Sequence, residues 1–117
     1  MNESDELTTL REVRDAVKAF NEARDWGQFH TPKDLAMALS VEANELLELF
    51  LWKKGDAPFD QERVREEIAD VAITLMNLAN QTGIDLTQAI RDKLALNAER
   101  YPVELSRGKA LKYDQLT

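Results

Sequence analysis

Two pairs of acidic residues carry a spacing that can do chemistry: Glu42 with Glu45, and Glu67 with Asp70. On a helical wheel of ~100° per residue with Glu42 at zero, Leu35 falls at about +20°, Ala38 at about −40°, Leu39 at about +60°, Leu46 at about +40° and Leu49 at about −20°. Glu42 is therefore centred in an apolar stripe, with Glu45 on its edge. With Asp70 at zero, Glu67 falls at about +60°, Glu66 at about −40°, Thr74 at about +40° and Asn77 at about −20°. These form a polar line through the otherwise greasy "IADVAITLMNLAN". A carboxylate buried alone is costly or stays protonated. Converging carboxylates repel unless they share protons or hold a cation. Oxygen ligands in a chain with no cysteine select Mg²⁺, Mn²⁺ or Ca²⁺. Mg²⁺ keeps waters and is completed by substrate phosphates, which suits attack of water on a phosphoryl group. The competing reading is ion pairing of the acids with Arg65, Lys53 or Arg100. Glu48 and Glu66 taken singly read as solvated surface.

Such a set needs helices that bring the acids together. Glycine and proline are scarce (4 and 3) and fall between periodic segments. The pattern predicts an all-α chain of four helices. The first runs from Ser4 or Asp5 to Arg24, carrying Leu7, Leu10, Val13, Val17 and Phe20. The second follows Thr31, an N-cap with Pro32 behind it, and runs to Lys54. The third spans Asp60 to Gln81, and the fourth follows Asp85 and runs to Arg100. The tail "VELSRGKALKYDQLT" is expected to be extended. A short turn over 55–60 implies that the second and third helices pack antiparallel, so that their acids converge. The third helix is apolar nearly all round its axis. A subunit this small cannot bury such a helix alone, which predicts a homo-oligomer whose helices form a larger bundle.

The chain has 117 residues, the length of a single domain, with 44% hydrophobic and 32% charged residues, a globular composition. A net charge of −7 argues against a general nucleic-acid binder, but not against a phosphate ligand met by a metal. With no cysteine, disulfides, thiolate nucleophiles and Cys-based zinc sites are excluded. The acidic start "MNESDELTTL" shows no secretory signal, and no run reaches a membrane span, so the expected location is cytoplasmic.

With the motifs in place, the sequence resembles the MazG-like all-α nucleotide pyrophosphohydrolases. Glu42-x-x-Glu45 followed by Glu67-x-x-Asp70 is similar to that family's paired acidic signature. The run "RDWGQFHTPKDLAMALSVEANELLELFLWKKG" resembles the small branch that includes dCTP pyrophosphatase, as do "EEIADV", "KLALNAERYPVE" and "KALKY". The likeness extends from about residue 7 to 116.

The resemblance implies cleavage of a nucleoside triphosphate between its α and β phosphates, giving monophosphate and pyrophosphate. It implies Mg²⁺, with Mn²⁺ a substitute, on Glu42, Glu45, Glu67 and Asp70. A water, oriented at the metal or by a carboxylate, attacks the α-phosphorus, and Glu45 or Glu48 orients or deprotonates it. Trp26, Phe29 and Trp52 are candidates to stack on the base, against the plain alternative of core or interface aromatics. His30 is expected to hydrogen-bond sugar or base rather than ligate metal. Lys93, Asn97, Arg100, Lys109 and Lys112 are candidates for phosphate or sugar contacts. Two positions depart from the dCTP-selective pattern: Thr74 stands where a tyrosine is usual, and Asp34 where an asparagine is. Both bear on base selectivity and leave the four acids intact. The resemblance also implies a dimer, or a tetramer built as a dimer of dimers. The expected substrate class is dCTP-like pyrimidine deoxynucleotides, in nucleotide-pool sanitation. The alternative is a non-enzymatic helical module whose acidic stripes bind a basic partner.

Overall fold

Polar caps and left-handed residues set where the helices begin and end. The computed structural model describes residues 2–117. In order, these form α1 (Leu10–Ala23), a 3-10 turn (Trp26–Phe29), α2 (Pro32–Glu48), α3 (Gln61–Thr82), α4 (Leu86–Arg100), the single-turn α5 (Val103–Ser106) and a 3-10 turn (Tyr113–Gln115). No strand occurs among the described residues, so the all-α expectation holds. Thr31, Asp60 and Asp85 each accept a backbone N–H of the following first turn, as N-caps should. Gly83 closes α3 in the left-handed conformation at φ 69°.

Three boundaries differ from the sequence expectation. α1 starts at Leu10 rather than near Ser4: the Ser4 carbonyl closes a separate turn with the N–H groups of Leu7 and Thr8. Thr9 is the true cap, accepting from the Glu12 N–H, while its hydroxyl reaches the Glu12 carboxylate at 3.2 Å. α2 ends at Glu48, not Lys54. Its chain tightens through Leu49→Leu46 and Phe50→Leu47 backbone bonds, and Trp52 then takes φ 65°, the left-handed role usually given to glycine. The tail is not simply extended, since it holds α5 and the second 3-10 turn.

The chain divides into two compact units, one ending at Ile84 and the other Asp85–Thr117. In the first, α2 and α3 pack most extensively and α1 lies on α3. Phe50 meets Phe59 (ring centroids 5.3 Å apart) across the connector, and the Lys53 ammonium donates to the Pro58 carbonyl at 3.2 Å. The apolar core is small: Leu35, Val64 and Ala79 are the buried hydrophobic residues among those described. The one buried charged residue, Arg14, is tied to α3, its Nε donating to Asn80 Oδ1 at 3.0 Å. Met37, Val41, Leu47, Ile68 and Leu75 remain exposed on α2 and α3. In the second unit, the Arg100 guanidinium covers the Tyr113 ring at 4.7 Å, and Tyr101 meets Tyr113 edge-on. No helix among the described residues is long and apolar enough to cross a membrane.

Asp60 serves two N–H groups, of Glu62 and Arg63, at the head of the helix that carries half the acids. Asp60→Ala is expected to lower unfolding stability by about 1 kcal/mol. Urea titrations at matched protein concentration measure this, and Asp60→Asn should recover most of it.

Candidate active site

The antiparallel packing of α2 on α3 brings Glu42 against Glu67 and Asp70. Each offers one carboxylate oxygen, and all three atoms lie within 4.8 Å of one another. Glu42 is on α2's core-facing stripe with the buried Leu35, so its carboxylate points at α3 rather than at solvent. Two buried oxygens, Glu42 Oε2 and Glu67 Oε2, have no hydrogen-bond partner. Burial lifts the Glu42 carboxyl above its ordinary 4.5, and Glu45 lifts it further by charge and by a hydrogen bond, followed by the charges of Asp70 and Glu67. Burial also raises Glu67, followed by the charges of Glu45 and Asp70; Arg63 pulls it partly back. Glu45 therefore stands beside the trio without belonging to its tightest group. Glu48 is the last, exposed residue of α2 and is no part of the cluster.

The ion-pair reading does not account for this arrangement. Arg65 pairs with Glu62 at 3.1 Å, Lys53 serves the Pro58 carbonyl, and Arg100 covers Tyr113. The ion pairs found among the described residues all lie elsewhere, on exposed helix faces. Three clustered carboxylates, two of them with an orphaned oxygen and none in an ion pair, have the donor chemistry of a site for a hard divalent cation.

Beside the acids, α1, the 3-10 turn and α3 enclose a cavity of about 430 Å³. Its walls are Val13, Val17 and Phe20 of α1, Trp26 and His30 of the connector, and Ile73 and Asn77 of α3. That is the size and character of a small-molecule pocket. Ile73 and Asn77 follow Asp70 by one and two helical turns, roughly 4 to 10 Å along the axis. Asp25 at φ 51° turns the chain so that Trp26 sets its edge on Phe20, centroids 5.7 Å apart. A second, more polar cavity of about 250 Å³ shares Asn21, His30 and Asn77 and adds Lys18, Asn80 and Gln81.

The residues expected from sequence are thus sorted. Glu42, Glu67 and Asp70 come together, with Glu45 beside them. Trp26 and His30 line the cavity. Phe29 and Trp52 do not: Phe29 sits on the outer side of the 3-10 turn, and Trp52, on its left-handed turn after α2, is fully exposed. Thr74 spends its hydroxyl on its own helix, donating to the Asp70 carbonyl at 2.9 Å. Lys93, Asn97 and Arg100 belong to α4, and Lys109 and Lys112 to the tail of the second unit. Sequence reasoning missed Asn21, whose amide donates to Asn77 Oδ1 across α1 and α3. Its only signal was its place next to Phe20 at the border of α1's apolar stripe.

A family model described as MazG-like matches residues 37–116. The chain belongs to the MazG-like family. It is 45% identical over 115 residues to dCTP pyrophosphatase 1 of Mus musculus, covering 92% of this chain and 68% of that protein. Against dCTP pyrophosphatase 1 of Homo sapiens the identity is 39% over the same length. The crystal structure of a pyrophosphatase from Archaeoglobus fulgidus superposes with a TM-score of 0.72 at 33% identity, covering 87% of this chain and 98% of that one. Both acidic pairs lie inside the matched segment.

Glu42 and Glu67 hold protons more tightly in the folded chain than in the unfolded one, where carboxyls titrate near 4.5. Their contribution to stability is present below that value and is lost as pH rises through the raised folded values. A divalent cation competes for the same oxygens. Thermal stabilisation by Mg²⁺ or Mn²⁺ is therefore expected to grow between roughly pH 5 and pH 8 and to vanish in Glu42→Gln. A shift that ignores pH and survives the substitution would place the cation elsewhere.

Proposed function

We infer that this chain is a nucleoside triphosphate pyrophosphohydrolase that cleaves between the α and β phosphates, releasing monophosphate and pyrophosphate. The substrate class is dCTP-like pyrimidine deoxynucleotides, and the role is sanitation of a cytoplasmic nucleotide pool. One observation carries the reading: three carboxylate oxygens of α2 and α3 lie within 4.8 Å of one another with no ion-pair partner, and α3, which supplies two of them, also walls an aromatic cavity. Family membership and the likeness to dCTP pyrophosphatase 1 support the same chemistry.

In this reading Glu42, Glu45, Glu67 and Asp70 hold Mg²⁺, with Mn²⁺ able to replace it. When bound, the ion supplies positive charge to the phosphate oxygens and to the departing pyrophosphate. α2 and α3 fix the carboxylates before substrate arrives, so little reorganisation accompanies the reaction. Glu45, half-buried beside the trio, is placed to orient the attacking water and take its proton. Glu48 lies about 120° round the helix from Glu42 and is the weaker choice. The cavity receives the base against Trp26, with His30 at its polar end. On family resemblance, Lys93, Asn97 and Arg100 contribute phosphate or sugar contacts. Both units together serve as one pyrophosphohydrolase domain.

The exposed apolar residues of α2 and α3 are more than a lone subunit leaves to water. They form the interface of a homo-oligomer, a dimer or a dimer of dimers. Light scattering should therefore give an integral multiple of the 13.3 kDa chain mass.

Turnover of a panel of triphosphates in H₂¹⁸O tests the chemistry. Label is expected in the monophosphate, with none in pyrophosphate, and only when Mg²⁺ is present. Asp70→Asn and Glu42→Gln are each expected to cut kcat by about a thousandfold while helicity is kept. The alternative of a non-enzymatic module that binds a basic partner predicts no hydrolysis of any nucleotide.

A further inference from the structure

The wall shared by the two cavities is a pair of bonded amides with His30 beside them. Asn21 on α1 donates through Nδ2 to Asn77 Oδ1 on α3, and both side chains line both cavities. That bond consumes one donor of Asn21 and one acceptor of Asn77. Asn21 keeps its Oδ1 as an acceptor, and Asn77 keeps its Nδ2 as a donor. The bonded amides belong to the lining of a cavity whose other walls are mostly apolar, from Val13, Val17, Phe20, Trp26 and Ile73, with His30 beside them.

The pair is held firmly. Further along the α1–α3 contact, two turns from Asn21 on α1 and one from Asn77 on α3, Arg14 Nε donates to Asn80 Oδ1 at 3.0 Å, and Asn80 Nδ2 returns a bond to the Arg14 carbonyl at 3.3 Å. Arg14 is buried, so this second tie fixes how α1 sits on α3 and with it the setting of Asn21 against Asn77. Amides positioned this way resist turning over to suit a mismatched partner.

We propose that Asn21 and Asn77 read the Watson–Crick edge of the base and select a 4-aminopyrimidine. The assignment rests on the reading of the cavity as the base site of a pyrophosphohydrolase. Asn21 Oδ1 accepts from the exocyclic N4 amino group of cytosine, and Asn77 Nδ2 donates to its N3 acceptor. Uracil or thymine in the same seat sets O4 against Asn21 Oδ1 and N3–H against Asn77 Nδ2, acceptor to acceptor and donor to donor. Desolvated polar atoms left without partners are what give such sites their discrimination. The pair also supplies polar recognition that the short, self-bonded Thr74 does not.

The test compares kcat/KM for dCTP and dUTP in the wild type and in Asn77→Asp, with Mg²⁺ present. Asn77→Asp is isosteric and still accepts from Asn21, but it turns the donor facing N3 into an acceptor. The wild type is expected to prefer dCTP by at least about tenfold, and the variant to lose at least about tenfold of that ratio, chiefly through the dCTP value. Thermal melts check that the variant is folded. If it is not, Asn21→Ala replaces it, with the same fall in ratio expected from loss of the N4 acceptor. A wild type that handles dCTP and dUTP alike overturns the assignment. So does a folded variant that loses both substrates equally, since a purely structural tie would behave that way. In either case hydrolysis persists and the pyrophosphohydrolase reading stands. A wild type that hydrolyses no nucleotide removes that reading and this assignment with it.

Discussion

Mutual repulsion among carboxylates gathered at one helix–helix contact, two of them half-buried, governs this molecule. Glu42, Glu67 and Asp70 stand within 4.8 Å of one another, and two of their oxygens have lost water without gaining a partner. Helix packing holds them there although burial and the neighbouring charges raise the proton affinity of Glu42 and Glu67. Left to itself, such an arrangement would relax by turning a side chain outward or recruiting a cationic residue. Arg65, Lys53 and Arg100 are each engaged with something else. In the proposed reading a small, hard cation offsets this repulsion, and its ligation would then feed directly into fold stability.

The thin core has the same logic. With Leu35, Val64 and Ala79 as its buried apolar residues, the chain by itself withdraws little hydrophobic surface from water. α2 and α3 must present carboxylates inward, line a cavity, and offer apolar residues outward. A helix serving all three duties has few positions left for an interior. The apolar character that α3 carries nearly all round its axis leaves Ile68, Ile73 and Leu75 exposed on the subunit, and the proposed homo-oligomer rests on such residues.

The legibility of these features in the sequence follows from the range of the interactions involved. Local chemistry was readable: Thr31-Pro32, Asp60, Asp85 and Gly83 mark helix ends because caps act within one turn. The wheel placed Glu42 and Asp70 correctly because helical periodicity is strict and the α2–α3 connector is short. The start of α1 was misplaced although Thr9-x-x-Glu12 is a capping-box spacing, since the acidic residues before it resemble a first turn. The end of α2 was hidden because "LFLW" continues the apolar period while Trp52 adopts a backbone conformation that side chains rarely announce. Residue type made Phe29 and Trp52 candidates for base stacking, and backbone geometry leaves both rings exposed on this subunit, outside the cavity that Trp26 and His30 line. Asn21–Asn77 and Arg14–Asn80 join residues far apart in sequence, and no local pattern specifies such pairs.

Those long-range pairs show how the fold separates chemistry from selection. The acids come from α2 and α3, whereas the cavity comes from α1, the 3-10 turn and α3. α3 is the one element common to both, and it sets their separation through the fixed rise of a helix. Substitutions on α1 can therefore reshape the pocket without moving a carboxylate, and substitutions on α2 can retune the cation without touching the pocket. Thr74, one turn past Asp70, bonds back to its own helix, while its helix neighbours Ile73 and Asn77 line the pocket with α1 and the 3-10 turn. Recognition carried by Asn21 and Asn77 is thus recognition shifted one turn further from the acids. A scaffold divided in this way can change which base it accepts while the reacting phosphates meet the same oxygens.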